Sequence, residues 1–157
     1  MRFASLGSGS EGNGLVVECG DALDPVRLLV DCGFGVRDVA ERLLRLGLEP
    51  DDLHAVLVTH EHSDHVRGVA RFARSRRMPV YATSGTARAA LEDAADDIDL
   101  RLIEPDRPFR IGDVHIHPVP VPHDSREPVQ YLFDDGERRL GVLTDLGHPT
   151  AHLLRTM

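Results

Sequence analysis

Residues 60–65 read His-Glu-His-Ser-Asp-His and follow directly on an apolar run. Neutral imidazole and carboxylate are preferred ligands of zinc and similar divalent ions. Because residues two apart point the same way in an extended or turning backbone, His60 and His62 can converge on one metal ion. Asp64 and His65 lie past the bend and can face a second ion. A polar turn that merely contains histidines is the alternative, but this spacing directly after a buried strand favours a metal site.

The loops after two later strands supply further candidate ligands. A catalytic zinc ion needs three protein ligands and an open position for water. We expect His123, just beyond the predicted strand Val114–Val121, to be the third ligand, because loops at strand ends commonly carry ligands. His115 and His117 are rivals, but they share one face inside that strand and fit an exposed strand better. Asp145 begins the loop after another apolar run, where its carboxylate can bridge two cations or serve as a helix cap or turn residue.

Four other polar residues have weaker claims to the site. Asp31 follows an apolar run and can accept a hydrogen bond from the second nitrogen of a ligating histidine, or it can be a turn residue before a glycine. We expect His54, His148 and His152 to be surface or otherwise satisfied histidines, with His148 kept as a minor candidate ligand.

Hydrophobic periodicity sets the elements that must position these residues. Helices are expected over residues 36–44, with Gly47 as a stop, after a Ser63 cap, over Ser84–Ala94 and from near Pro149. Strands are expected over Arg2–Leu6, Leu15–Cys19, Val26–Val30, Leu53–Val58, Pro79–Ala82, Leu100–Ile103, Phe109–Ile111, Val114–Val121, Val129–Phe133 and Leu140–Thr144. This order predicts a layered α/β structure with helices outside a mixed sheet, and ligand sites where loops leave the strand ends.

Length and composition indicate one globular domain over residues 1–157, with 41% hydrophobic and 28% charged residues. The formal net charge of −8 argues against a generic cationic protein that coats nucleic acid. It does not exclude a phosphate substrate, since two divalent cations would add positive charge at the site itself. Five arginines follow the histidine motif and could track a phosphate backbone or form the solvated face of a helix; they are Arg67, Arg71, Arg74, Arg76 and Arg77.

The two cysteines, Cys19 and Cys32, are expected to be buried reduced thiols, because both lie in apolar strand-like segments. No basic region followed by an apolar stretch begins the chain, and no apolar run approaches the roughly 18 residues of a membrane span. We therefore expect a cytoplasmic protein without a membrane partner. Nothing in the sequence indicates an oligomer.

The motif at residues 60–65 resembles the H-x-H-x-D-H signature of the metallo-β-lactamase superfamily without substitution. Residues 6–13, Leu-Gly-Ser-Gly-Ser-Glu-Gly-Asn, together with Pro122-His123-Asp124 and Leu143-Thr144-Asp145, resemble its bacterial single-domain WalJ-type exonuclease-like branch. The resemblance implies an αββα sandwich of mixed sheets with outer helices. Members of this branch run on for about another hundred residues, within the usual domain size. We therefore expect this chain to be an N-terminal portion, with the fold incomplete at its C-terminal side.

The same resemblance implies two divalent metal ions, with zinc expected and manganese or iron also compatible with these ligands. His60, His62 and His123 would hold the first ion, Asp64 and His65 the second, and Asp145 would bridge them.

We expect a hydroxide formed at the ions to hydrolyse phosphodiesters of nucleic acid, with Asp64 or Asp145 orienting the water. Asp124, or a histidine outside the ligand set, would protonate the leaving oxygen. The alternatives are a hydrolase of thioesters, lactones or other small esters, and a truncated domain without turnover.

Overall fold

Two β-sheets pack face to face in the computed structural model, which describes residues 1–21 and 23–157. The first sheet holds six strands in sequence order: β1 (Arg2–Gly7), β2 (Gly14–Cys19), β3 (Val26–Val30), β4 (Ala55–Leu57), β5 (Val80–Thr83) and β6 (Leu100–Ile103). Strands β1 to β3 pair antiparallel, and β3 to β6 pair parallel. The second sheet is antiparallel and holds β7 (Phe109–Ile111), β8 (Val114–Pro120), β9 (Val129–Asp134) and β10 (Arg139–Val142).

Helices lie on the outer face of each sheet. The first sheet is covered by α1 (Val36–Leu44), α2 (Ser63–Val66), α3 (Val69–Arg76) and α4 (Ser84–Ala90), whereas α5 (Ala151–Thr156) packs against the second. This layer order is the expected αββα sandwich of mixed sheets, and the fold class is confirmed. No helix in the described part of the chain is long or apolar enough to cross a lipid bilayer.

Strand β3 shows how one apolar run fills two cores. Leu28 and Leu29 are both fully buried, yet they point to opposite faces of the sheet. Leu28 belongs to the core between the sheets, with Ile116 and Tyr131, whereas Leu29 belongs to the core under the helices, with Phe72. A strand covered on both faces has no polar side to alternate with, which explains the continuous apolar sequence.

The helix expected after Ser63 is instead two helices. Ser63 is the first residue of α2, while His62 occupies the cap position without a side-chain cap. Gly68 separates α2 from α3, and a Cβ atom there would lie 1.9 Å from the carbonyl oxygen of Phe34. The expected cap was therefore wrong, and the break follows from close packing of this turn against the loop after β3.

Three other boundaries are shorter than expected. Strand β4 covers only Ala55–Leu57, because Leu53 closes the preceding 3-10 turn with its amide bonded to Pro50. Helix α4 ends at Ala90, and an acidic 3-10 segment, Glu92–Asp97, follows; carboxylates are unfavourable at the C-terminal end of a helix. Strand β10 ends at Val142 rather than Thr144.

Candidate metal centre

The ends of four strands meet at one edge of the sandwich. Asp31 directly follows β3, and His60 comes shortly after the neighbouring parallel strand β4. His123 follows β8, and Asp145 follows β10. Gly33 lets the loop after β3 approach the histidine turn, since a Cβ atom there would lie 1.8 Å from the Asp64 carbonyl oxygen. Residues far apart in sequence therefore share one small volume.

The first cluster of ligand atoms comes from His60, His62 and His123, and its atoms all lie within 4.8 Å of one another. His123 Nε2 is 3.2 Å from His62 Nδ1. The three expected ligands of a first ion are therefore brought together, in a geometry that fits a single cation.

The second cluster contains His60 again, with His65 and Asp145. Asp145 Oδ2 lies 2.7 Å from His65 Nε2 and 4.0 Å from His60 Nε2. Asp64 belongs to neither cluster, although its Oδ2 atom is only 3.5 Å from His65 Nε2. Of the residues expected around a second ion, the structure thus clusters His65 and Asp145 and leaves Asp64 beside them.

The other candidate histidines lie outside both clusters. His115 and His148 are exposed, and the backbone amide of Arg27 donates to His54 Nδ1. His117 and His152 each place Nε2 2.9 Å from the same oxygen of Asp106. These two side chains join β8 to α5 rather than contributing to the centre.

Each clustered imidazole has an oxygen next to its outer nitrogen. His62 Nε2 donates to the carbonyl oxygen of Asp124 at 3.2 Å, and His123 Nδ1 lies 3.0 Å from the Asp124 carboxylate. His65 Nδ1 donates to Asp31 Oδ2 at 2.8 Å. Each of these oxygens can accept the proton of an outer nitrogen, an arrangement that leaves the inner nitrogen of a neutral imidazole available to a cation.

Asp31 is buried and organises both sides of the centre. Its Oδ1 accepts the backbone amide of Thr59, and its Oδ2 accepts the Thr59 hydroxyl at 2.7 Å. The hydroxyl proton is thereby committed to Asp31, so His60 Nδ1 donates to Thr59 Oγ1 at 2.9 Å. Asp31 thus orients His65 directly and His60 through Thr59, at the cost of a left-handed backbone with φ 59°.

The pKa values of the two most buried histidines move in opposite directions. Burial lowers the pKa of His60 to about 4, and the neighbouring His65 adds to the fall. Burial also works to lower the pKa of His65, but the Asp31 hydrogen bond and the charges of Asp31, Asp145 and Asp64 outweigh it, so that pKa is raised. His60 is therefore neutral at neutral pH, as a metal ligand must be.

The residues present fit a divalent metal ion. His60 Nε2 is buried and has no hydrogen-bond partner, which is costly unless something else occupies its lone pair. His62 Nδ1 and His123 Nε2 lie 3.2 Å apart, so one cation can take both nitrogens as ligands. Nitrogen donors with one carboxylate suit zinc and also accept other first-row metals.

Two residues next to the centre, Asn13 and Gln130, were not predicted from the sequence. The side-chain amide of Asn13 contacts Asp64 and His65, and the glycine-rich segment before it was the only signal. Buried Gln130 donates to Thr144 O at 2.8 Å and accepts from Thr144 N at 2.6 Å. Its side chain replaces strand pairing where β10 has ended, and Gly147 N bonds Pro122 O beyond Asp145.

Most of the arginine cluster is engaged elsewhere. Arg67 donates to the carbonyl oxygens of Gly33 and Glu11, while Arg74 pairs with Asp97 and Arg76 with Asp51. These contacts favour the solvated-helix interpretation over a track for phosphates. Arg71 and Arg77 form no side-chain ion pair within the described residues.

The chain is similar in sequence to two named bacterial proteins. It is 35% identical over 156 residues to exodeoxyribonuclease YycJ of Bacillus anthracis, covering 94% of this chain and 55% of that protein. It is 33% identical over 153 residues to exodeoxyribonuclease WalJ of Streptococcus pneumoniae serotype 2, with the same coverage. The chain thus spans about half the length of these relatives.

Among solved structures, zinc-bound PqqB from Methylobacterium extorquens superposes with a TM-score of 0.76 at 19% identity, over 99% of this chain and 69% of that one. The resemblance inferred from the histidine motif is confirmed. Residues 26–157 match the β-lactamase superfamily domain, and the chain belongs to that family.

Proposed function

We propose that this chain carries the metal centre of an exonuclease that hydrolyses phosphodiester bonds in nucleic acid. The observation that carries the proposal is the convergence of inner nitrogens around His60 Nε2, which is buried and has no partner of its own. The substrate class is supported by the relatives, two of which are named exodeoxyribonucleases.

His60, His62 and His123 would hold one ion, and His65, Asp145 and the adjacent Asp64 the other. When bound, such ions activate water and stabilise the charge that develops on a phosphoryl group.

In this proposal, the protein's own side chains hold water near the ions and keep His60 unprotonated. The carboxylates of Asp145 and Asp64 are 43% and 27% exposed, so a water molecule can reach them and donate to them. His60 stays unprotonated because it is buried. Asp124 is 86% exposed beside His123 and, like a histidine outside the ligand set, is a candidate to pass a proton to a departing oxygen.

Arg126 supports a phosphate substrate. Its backbone amide donates to Glu61 Oε1 at 2.7 Å, so the residue is fixed next to the histidine turn. Its guanidinium is exposed and forms no ion pair with the described residues. An exposed guanidinium on a loop that bonds the histidine turn would suit a phosphate of the substrate away from the scissile bond, despite the net charge of −8.

The test is digestion of end-labelled single- and double-stranded DNA by the zinc- or manganese-loaded chain, compared with His62→Ala. We expect wild-type digestion and a loss of at least about 10³-fold in the variant, since a catalytic metal site lacks a ligand. His148→Ala is the matched control, because His148 is exposed and lies outside both clusters.

A small thioester, assayed in parallel, separates the competing interpretations. Turnover of the thioester alone would assign the centre to a small-ester hydrolase. Turnover of neither substrate by a metal-loaded chain would identify a domain without turnover on its own. Undiminished digestion by His62→Ala would contradict the assigned site.

A further inference from the structure

Asn13 ends the glycine-rich loop between β1 and β2 and lies against the second ligand cluster. Its backbone amide donates to the Asp64 carbonyl oxygen at 2.7 Å, and its own carbonyl oxygen accepts from Gly33 N at 2.9 Å. The main chain of Asn13 is thus bonded both to the histidine turn and to the loop after β3, independently of its side chain.

The side-chain amide of Asn13 has a fixed orientation. Gly9 N donates to Asn13 Oδ1 at 3.0 Å, which sets the oxygen toward the loop and the nitrogen toward the centre. Asn13 Nδ2 then donates to Asp64 Oδ2 at 2.9 Å and lies 3.0 Å from His65 Nε2. It also contacts Gly9 O at 3.1 Å.

This contact explains the placement of Asp64. The Asp64 carboxylate is partly exposed, and Asn13 Nδ2 is the nearest hydrogen-bond donor to its Oδ2 atom. With that donor in place, Asp64 Oδ2 stays 3.5 Å from His65 Nε2, on the same side as Asp145. Holding an exposed carboxylate in one position costs side-chain entropy. Without the Asn13 hydrogen bond to offset that cost, the Asp64 carboxylate can rotate into solvent.

We propose that Asn13 is a positioning residue of the second ligand cluster, and that its side-chain amide holds Asp64 where it completes the ligand set of His65 and Asp145. This inference rests on the proposed function, because it assumes that the centre takes up two ions. It assigns the glycine-rich loop a role in metal uptake rather than in strand connection alone.

The experiment measures the affinities of the two ions separately, by zinc titration against a chromophoric chelator, in the wild type, Asn13→Ala and Ser10→Ala. Ser10 is exposed in the same loop and has no side-chain hydrogen bond among the described residues, so Ser10→Ala is the matched control. For Asn13→Ala we expect affinity for one ion to fall about 10- to 100-fold, the usual cost of removing a residue that orients a ligand. The other ion, held by the three-histidine cluster, should keep its affinity within about twofold.

A second measurement uses the unmodified chain, in case Asn13→Ala fails to fold. The side-chain amide resonances of Asn13 should shift with the second equivalent of zinc and not with the first. Equal loss of both ions in a folded variant, or two unchanged affinities, would overturn the inference and leave the proposed function standing. Asn13 amide resonances that do not shift with the second equivalent of zinc would overturn the inference as well. A wild-type chain that binds no ion would overturn both proposals.

Discussion

Replacing Asp31 with asparagine tests whether one buried carboxylate fixes the histidine tautomers. The substitution keeps the shape of the side chain but removes its charge and one of its two acceptor oxygens. Asp31 accepts three hydrogen bonds, from Thr59 N, Thr59 Oγ1 and His65 Nδ1. An amide cannot accept all three, so at least one buried donor faces an N–H group unless His65 changes tautomer.

The two responses have different measurable costs. If His65 moves its proton to Nε2, that nitrogen can no longer bind a cation. If it does not, an unsatisfied buried donor costs about 1–3 kcal/mol of folding free energy. Loss of a group that orients a ligand reduces metal affinity by about 10- to 100-fold, or about 1.4–2.7 kcal/mol.

The assay combines zinc titration with urea unfolding of the metal-free chain. Asp113→Asn is the control, because that carboxylate is 99% exposed and should change the free energy of unfolding by less than about 0.5 kcal/mol. Wild-type affinity for both ions in Asp31→Asn would refute the reasoning, since the hydrogen bond from His65 would then not determine which nitrogen faces the ion.

Three further results are expected. Gly68→Ala should lower the free energy of unfolding in urea by about 1–3 kcal/mol or more, because the new methyl group meets the Phe34 carbonyl oxygen; an unchanged midpoint would contradict the packing described. Arg67→Ala should cost about 1–3 kcal/mol in the same assay by leaving the Gly33 carbonyl oxygen without its donor, with little change in the salt dependence of DNA binding. Burial raises the pKa of the Cys32 thiol to about 12, so a thiol reagent at neutral pH should modify it only after urea is added; fast labelling of the folded chain would show that it is accessible.

The strand-end histidines could be predicted from sequence because their signal is local. Because residues two apart point the same way in an extended backbone, the spacing of His60 and His62 predicts that they share one site. The apolar run before them predicts the strand. The position of His123 in a loop favours it over His115 as a ligand, and the structure places it with His60 and His62. A continuous apolar run and the loop that follows it are the features that a single sequence defines best, even where the strand is shorter than the run, as in β4.

Contacts between distant segments could not be predicted in the same way. Five clustered arginines could track a phosphate backbone, but Asp51 and Asp97, which neutralise two of them, come from two 3-10 segments elsewhere in the chain. Asn13 meets Asp64 only because Gly33 has no side chain in the way. Each depends on how close two loops approach, and sequence periodicity carries no information about that distance.

The side chain of Gln130 holds the start of the Asp145 loop where strand pairing has ended. Asp145 lies between two sets of hydrogen bonds. Gln130 forms two with Thr144, and Gly147 N forms one with Pro122 O. Releasing three such hydrogen bonds costs roughly 2–4 kcal/mol, less than unfolding a domain and with no strand ladder broken. Local opening at this loop should therefore cost less than global unfolding, and the Thr144 amide should exchange its hydrogen faster than those of β9.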